Sequence, residues 1–254
     1  MEKFELLIDH IYRLWVPFDI DRTSVFLIRT DDGDILFDAA TTAADVKERI
    51  LPALAGMGSV PVCLVMSHDH GDHAGGMPYL AAALPDAVVC GANEKMLAKM
   101  PGRTRLLQDG DTLPGGIVCM HLPGHSADAI GLFDVRTKTL LSADCLQQGG
   151  VAKWGTGLAM PARYLETLAR LGGEDIENIF ASHGYVPCGA AAVGKAAVAV
   201  MLAECAVDVK NIREYIAAHP GEDAGTLAKG FNETHPGHPP INGYTVGRFL
   251  EEFN

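Results

Sequence analysis

The chain has 254 residues, 48% of them hydrophobic, and a formal net charge of −12. That apolar content is enough to fill one large domain, or a domain with an appendage, and argues against a disordered chain. The acidic balance, with no cluster of Lys or Arg to offset it, disfavours nucleic acid as a partner and suits an enzyme for small molecules.

No stretch approaches the roughly 20 apolar residues a membrane helix needs, and residues 1–9 are acidic without a signal-peptide run, so the reading is cytoplasmic and not membrane-bound. Residues 6–14, 24–29 and 34–37 read as extended segments, the last two split by the turn Asp31-Asp32-Gly33. The period then changes: residues 42–54 carry Val46, Ile50 and Leu54 at helical spacing, and residues 62–66 form an apolar run suited to a buried strand. Further strands are expected at 87–90, 117–121 and 179–182, a hairpin pair at 131–135 and 139–142, and a helix at 162–171. Mixed strands with helices on outer faces imply a layered α/β domain over residues 1–188.

Past Gly189 the composition turns to Ala-rich helix, with Val198, Leu202, Cys205, Val209, Ile212 and Ile216 along one face. Shorter helices are expected at 226–232 and 244–253, separated by the turn-rich His235-Pro236-Gly237-His238-Pro239-Pro240. Residues 189–254 therefore read as a helical extension that either docks on the main domain or forms the contact of a homo-oligomer. Cys63, Cys90, Cys119, Cys145, Cys188 and Cys205 lie scattered without a C-x-x-C pair, as reduced thiols packed like small hydrophobes.

The chemistry is concentrated in His68-Asp69-His70-Gly71-Asp72-His73, directly after the expected buried strand and before Gly75-Gly76. Imidazole and carboxylate groups at a strand's mouth are costly to desolvate unless they share a cation. Alternation sends His68 and His70 the same way, while Asp72 and His73, past Gly71, bend round to a second position. His125, Asp144 and His183 each stand at the end of another expected strand. His235 and His238 resemble a further pair, but their Pro-Gly surroundings read as a surface turn.

An H-x-H-x-D-H motif followed by isolated His, Asp and His resembles the metallo-β-lactamase superfamily, over roughly residues 1–188. The resemblance implies an αββα four-layer sandwich with the site at one edge. It implies that His68, His70 and His125 bind one metal, that Asp72, His73 and His183 bind a second, and that Asp144 bridges them. Asp144 stands where the antibiotic-hydrolysing lactamases usually carry a metal-binding cysteine, and the adjacent Cys145 points away from the metals. The full set looks instead like the hydroxyacylglutathione hydrolases (glyoxalase II), the homoserine-lactone lactonases and the phosphodiesterase branch.

The expected cofactors are two divalent ions, zinc first, with iron and manganese suited to the same donors. A water bridging two such ions loses a proton near neutral pH and becomes the nucleophile, with Asp72 and Asp144 as the carboxylates on which catalysis depends. The expected function is hydrolysis of a small-molecule ester, thioester or lactone. The alternatives are a phosphodiesterase or nuclease of the same fold, and an iron-dependent redox protein.

Asp38 is read either as orienting a ligand or as a turn residue, and Asp69 as contacting solvent or backbone or else shuttling a proton. Trp15, Phe18, Lys153 and Trp154 are candidate cleft walls by resemblance, each open to a plain packing role. Tyr185 follows His183 closely enough to approach the site, at a spacing unlike that of the lactonases' catalytic tyrosine.

Overall fold

The computed structural model describes residues 3–19, 21–150, 155–185, 189–238 and 240–253. A first sheet takes its seven strands in chain order: β1 (Glu5–Ile8), β2 (Ile11–Phe18), β3 (Asp21–Ile28), β4 (Ile35–Phe37), β5 (Cys63–Val65), β6 (Val88–Gly91) and β7 (Arg103–Leu106). Neighbours from β1 to β4 pair antiparallel through short turns, and neighbours from β4 to β7 pair parallel. Parallel neighbours need crossover connections, and helices supply them. α1 (Ala43–Asp45), a π-helical turn (Val46–Ile50) and α2 (Leu51–Gly56) join β4 to β5. α3 (Gly71–Ala74) and α4 (Met77–Ala83) join β5 to β6, and α5 (Glu94–Leu97) joins β6 to β7.

The second sheet has the order β12-β11-β10-β9-β8, built from β8 (Val118–His121), β9 (Ile130–Asp134), β10 (Thr139–Ala143), β11 (Asn178–Tyr185) and β12 (Gly189–Val193). α6 (Pro161–Leu171) is the crossover between the parallel pair β10 and β11. α7 (Lys195–Ala218), α8 (Ala224–Thr234) and α9 (Gly243–Phe253) follow.

Three apolar layers separate four structural ones. Phe26, Phe37, Val65, Ile130, Leu141 and Phe180 meet between the two sheets. Leu14, Leu27, Leu64, Val46, Ile50 and Leu80 pack the first sheet against its helices. Leu140, Ile179, Leu168, Val209, Phe231 and Phe249 pack the second sheet against α6 to α9. The expected αββα sandwich is the architecture of the chain.

Local departures have local causes. The segment expected as one strand at 6–14 is a hairpin, turned at Asp9 with φ of 46°. The stretch from Gly189, expected as helix, begins instead as an edge strand paired with β11, and Gly189-Ala190-Ala191-Ala192-Val193 carries no alternation that would have marked it. β7 is likewise silent in sequence, its Arg-Thr-Arg-Leu being exposed at the other sheet's edge. Cys63, Cys90, Cys119, Cys145 and Cys205 are buried thiols, and Cys188 falls outside the described residues. Among the described residues no helix is long and apolar enough to cross a membrane.

Because α7 to α9 share one apolar layer with the second sheet, they are expected to unfold with it. Phe249→Ala, removing a ring that is 1% exposed, should cost about 3–5 kcal/mol in chemical denaturation and keep a single transition. A loss below about 1 kcal/mol would show that the helices are not part of that core.

Candidate metal centre

The site lies along one edge of the two sheets, where strand ends deliver its side chains. β5 runs into Met66-Ser67-His68, and the backbone then turns through His70 (φ −70°, ψ 146°) into α3, which carries Asp72 and His73. This helix is held by close backbone approach. Gly76 N–H donates to the Ala40 carbonyl at 3.0 Å and Ala39 N–H to the His73 carbonyl at 2.8 Å. A Cβ on Gly75 or Gly76 would overlap the Thr41 or Ala39 carbonyl oxygen, which accounts for the paired glycines after the motif.

Asp144 follows β10, whose pairing with β11 shifts register between Leu141 and Ala143, with Ala143 in the left-handed region at φ 47°. A bulge of this kind re-aims the next side chain. His125 follows β8, and His183 lies in β11 where that strand crosses β3; there Ser24 Oγ donates to the Ser182 carbonyl at 3.0 Å.

Seven potential donor atoms converge in two sets, one from His68, His70 and His125 and one from Asp72, His73, Asp144 and His183. His125 Nε2 and His70 Nδ1 are 2.9 Å apart. Asp72 Oδ2 lies 3.1 Å from His183 Nε2 and 3.2 Å from His73 Nε2. Asp144 Oδ2 reaches into both sets, 3.4 Å from His73, 3.3 Å from His183 and 3.7 Å from His125.

The other ring nitrogens are engaged from behind. His73 Nδ1 donates to Asp38 Oδ2 at 2.8 Å, His125 Nδ1 to the Gly157 carbonyl at 2.7 Å, and His183 Nδ1 to the Arg22 carbonyl at 2.8 Å. Ser67 Oγ donates to Asp38 Oδ2 at 2.8 Å, which leaves it to accept from His68 Nδ1 at 2.9 Å. Each bond fixes a tautomer and leaves Nε2 facing the centre. His68 Nε2, His73 Nε2 and Asp144 Oδ1 are buried there without a hydrogen-bond partner. Buried polar atoms without partners are costly, and cations held by the two donor sets would satisfy them.

The electrostatics divide the same way. Burial, helped by His73 and His125, pushes the His68 imidazole well below its ordinary value, and burial lowers His125 to about 4. Burial opposes charge on His73 and His183 as well, but Asp144 and Asp72 outweigh it, holding His73 well above the ordinary value and His183 up at about 10. Burial would raise Asp72 and Asp144 too, yet His73 and His183 keep both carboxyls below the usual range. The carboxylates of Asp72 and Asp144 thus favour positive charge among these donors, which a divalent cation would supply. Imidazole and carboxylate donors suit such metals.

Beside this centre is a cavity of about 590 Å³, bordered by His70, Asp72, Asp144, Phe18, Tyr185 and, from the C-terminal extension, Asn242, Tyr244 and Thr245. Of the expected wall residues, Phe18 and Tyr185 border it. Trp15 does not, because alternation along β2 buries Leu14 and Val16 and leaves Trp15 on the other face, its ring between the guanidinium groups of Arg13 and Arg22 at 4.1 and 4.0 Å. Lys153 and Trp154 fall outside the described residues. Asp69 is exposed at the cavity's edge, with Asn93 Nδ2 at 3.5 Å. Asp38 is fully buried and orients His73, beyond a turn role.

Sequence reasoning missed Ser67, Gln147 and the carbonyls of Arg22 and Gly157. Ser67 adjoins the motif and was open to notice; the carbonyls carry no residue-type signal. It also missed Asn242, which accepts from Thr245 N–H at 2.9 Å and so starts α9 beside the cavity.

The profile of the metallo-beta-lactamase superfamily matches residues 19–183. The chain belongs to that superfamily. It is 31% identical over 156 residues to the hydroxyacylglutathione hydrolase of Gloeobacter violaceus, covering 58% of this chain and 61% of that one. It is 27% identical over 169 residues to the acyl-coenzyme A thioesterase MBLAC2 of Gallus gallus, covering 53% of this chain and 61% of that one. The match thus spans about three-fifths of those relatives' length. A metallo-beta-lactamase family protein from Thermus thermophilus superposes with a TM-score of 0.73 at 16% identity, covering 96% of this chain and 92% of that chain, which shows a shared fold.

Removing the carboxylate behind the centre should be felt at the metal. Asp38→Ala is expected to weaken metal binding by roughly 10–100-fold in chelator competition, through loss of the His73 and Ser67 bonds. Unchanged affinity would show that these bonds do not orient the donors.

Proposed function

We propose that the chain is a dinuclear metal-dependent hydrolase of small-molecule thioesters. His68, His70 and His125 would hold one ion and Asp72, His73 and His183 the other, with Asp144 placed to serve both. The observation that carries this reading is the position of Asp144 Oδ2, within 3.7 Å of ring nitrogens from both donor sets. Zinc is the metal that comes first for this donor set, with iron and manganese next. Bound there, two divalent ions supply an activated water and a Lewis acid for the acyl oxygen.

The chain's own groups do the rest. Tyr185 borders the cavity, and burial, reinforced by the neighbouring Asp144 carboxylate, holds its hydroxyl well above the ordinary pKa, so it stays protonated beside the centre. Phe18 gives an apolar wall, and Asn242 and Thr245 bring polar groups from the extension, which restricts the cleft to small substrates. The net charge of −12, with Asp69 and Asp128 at the cavity, repels a nucleic acid. The thioester class is supported by two relatives, one named for hydroxyacylglutathione and one for acyl-coenzyme A, with a thioester at the reacting centre in both.

A panel of glutathione and coenzyme A thioesters, oxygen esters, lactones, β-lactams and phosphodiesters tests the reading. The highest kcat/KM is expected on a thioester, lost on chelation and restored by metal. A preference for phosphodiesters or lactones would overturn the substrate class. Saturated protein should hold two ions per chain, and Asp144→Ala should lower second-ion affinity and turnover together. A stoichiometry of one in the unmodified protein would remove the dinuclear assignment.

A further inference from the structure

We infer that Asp208 and His238, both in the C-terminal extension, are positioning residues for the metal centre, acting through the loop that orients His125. The inference rests on the reading of His125 and Asp144 as metal ligands.

Asp208 lies in the middle of α7, 7% exposed, on the apolar side that also carries Cys205, Val209 and Ile212. A carboxylate in such a place is costly to desolvate unless its oxygens are engaged. Both are: Oδ2 accepts the Gly149 N–H, and Oδ1 lies 3.1 Å from His238 Nε2. His238, expected to be a surface turn residue, is inside this contact, with its side chain 15% exposed.

Gly149 opens a stretch that the extension holds at several points. Gly149 and Gly150 have φ of 70° and 85°, and a Cβ on Gly150 would overlap the Gly155 backbone. A Cβ on Gly155 would in turn overlap the Pro240 carbonyl. Thr245 Oγ1 donates to the Thr156 carbonyl at 3.1 Å, and Arg248 Nε to the Ala159 carbonyl at 2.6 Å. Residues 147–150 and 155–159 are therefore fixed from outside by α7, the turn after α8 and α9.

What they fix is the back of the metal centre. Gln147 donates its amide N–H to the Asp144 carbonyl at 3.0 Å and accepts the Gly157 N–H at 2.7 Å. Gly157 in turn accepts from His125 Nδ1. Gln147 Nε2 also lies 2.6 Å from His125 Nδ1, so a shift at Gly149 reaches the aim of His125 both directly and through Gly157, and the backbone of Asp144 through one hydrogen bond. His238 holds the Asp208 rotamer that starts this chain.

The test uses full-length protein carrying Asp208→Ala, Asp208→Asn or His238→Gln. Zinc affinity is read by chelator competition, and backbone opening by hydrogen exchange in peptides spanning 147–159. Asp208→Ala should weaken zinc binding at least about 10-fold and speed exchange in those peptides, with β5 and α3 unchanged. Asp208→Asn keeps an oxygen for the Gly149 N–H and should restore most of the affinity; His238→Gln should weaken it several-fold. Affinity and exchange unchanged in Asp208→Ala, or exchange raised uniformly across the chain with no rescue by Asn, would overturn the inference. If Asp208→Ala does not fold, zinc affinity unchanged in His238→Gln overturns it. Failure of the unmodified protein to bind zinc would instead remove the ligand assignment on which it rests.

Discussion

The buried carboxylate of Asp38 joins the strand scaffold to the chemistry. It is fully buried, stands at φ 68° just past β4, and accepts three hydrogen bonds: from the Ser67 backbone, the Ser67 hydroxyl and His73. Charge there is tolerable only because donors surround it. In return it sets the direction in which two separate donors point. His73 is turned so that Nε2 faces Asp72 and Asp144, and Ser67, with its proton committed to Asp38, turns His68. One residue between β4 and the first helical turn thus decides orientation in both donor sets.

The second constraint is the seam between the sheets. His183 sits in β11 but takes its orientation from the Arg22 carbonyl on β3, in the other sheet. The apolar layer between the sheets therefore affects the centre as well as stability, since a slip of the second sheet against β3 moves His183 away from Asp72. Interiors packed at crystal-like density resist such slips, and that rigidity suits donors that must be placed within fractions of an ångström.

The convergent side chains were legible in the sequence because a candidate metal site demands particular residue types, and His68, His70, Asp72 and His73 leave a dense pattern. The long helices were legible because burial imposes a helical period on α6 and α7. Two edge strands were not: β7 and β12 have one side in solvent and little to bury, so no alternation marks them. The orienting carbonyls of Arg22 and Gly157 were invisible for another reason, since any residue supplies a carbonyl. Trp15 misled because an aromatic near a cleft and an aromatic held between two arginines look alike until the strand's facing is known.

All seven donors lie between residues 68 and 183, whereas the helices covering the outer face of the second sheet come later in the chain. On the ribosome the two are made in that order, and domains fold as they emerge. A nascent chain therefore carries all seven candidate donors while Leu140, Ile179 and Leu168 still lack the covering of α7 to α9. Stalled or cut in that interval, it would carry the candidate donors and yet present an uncovered apolar face to its neighbours.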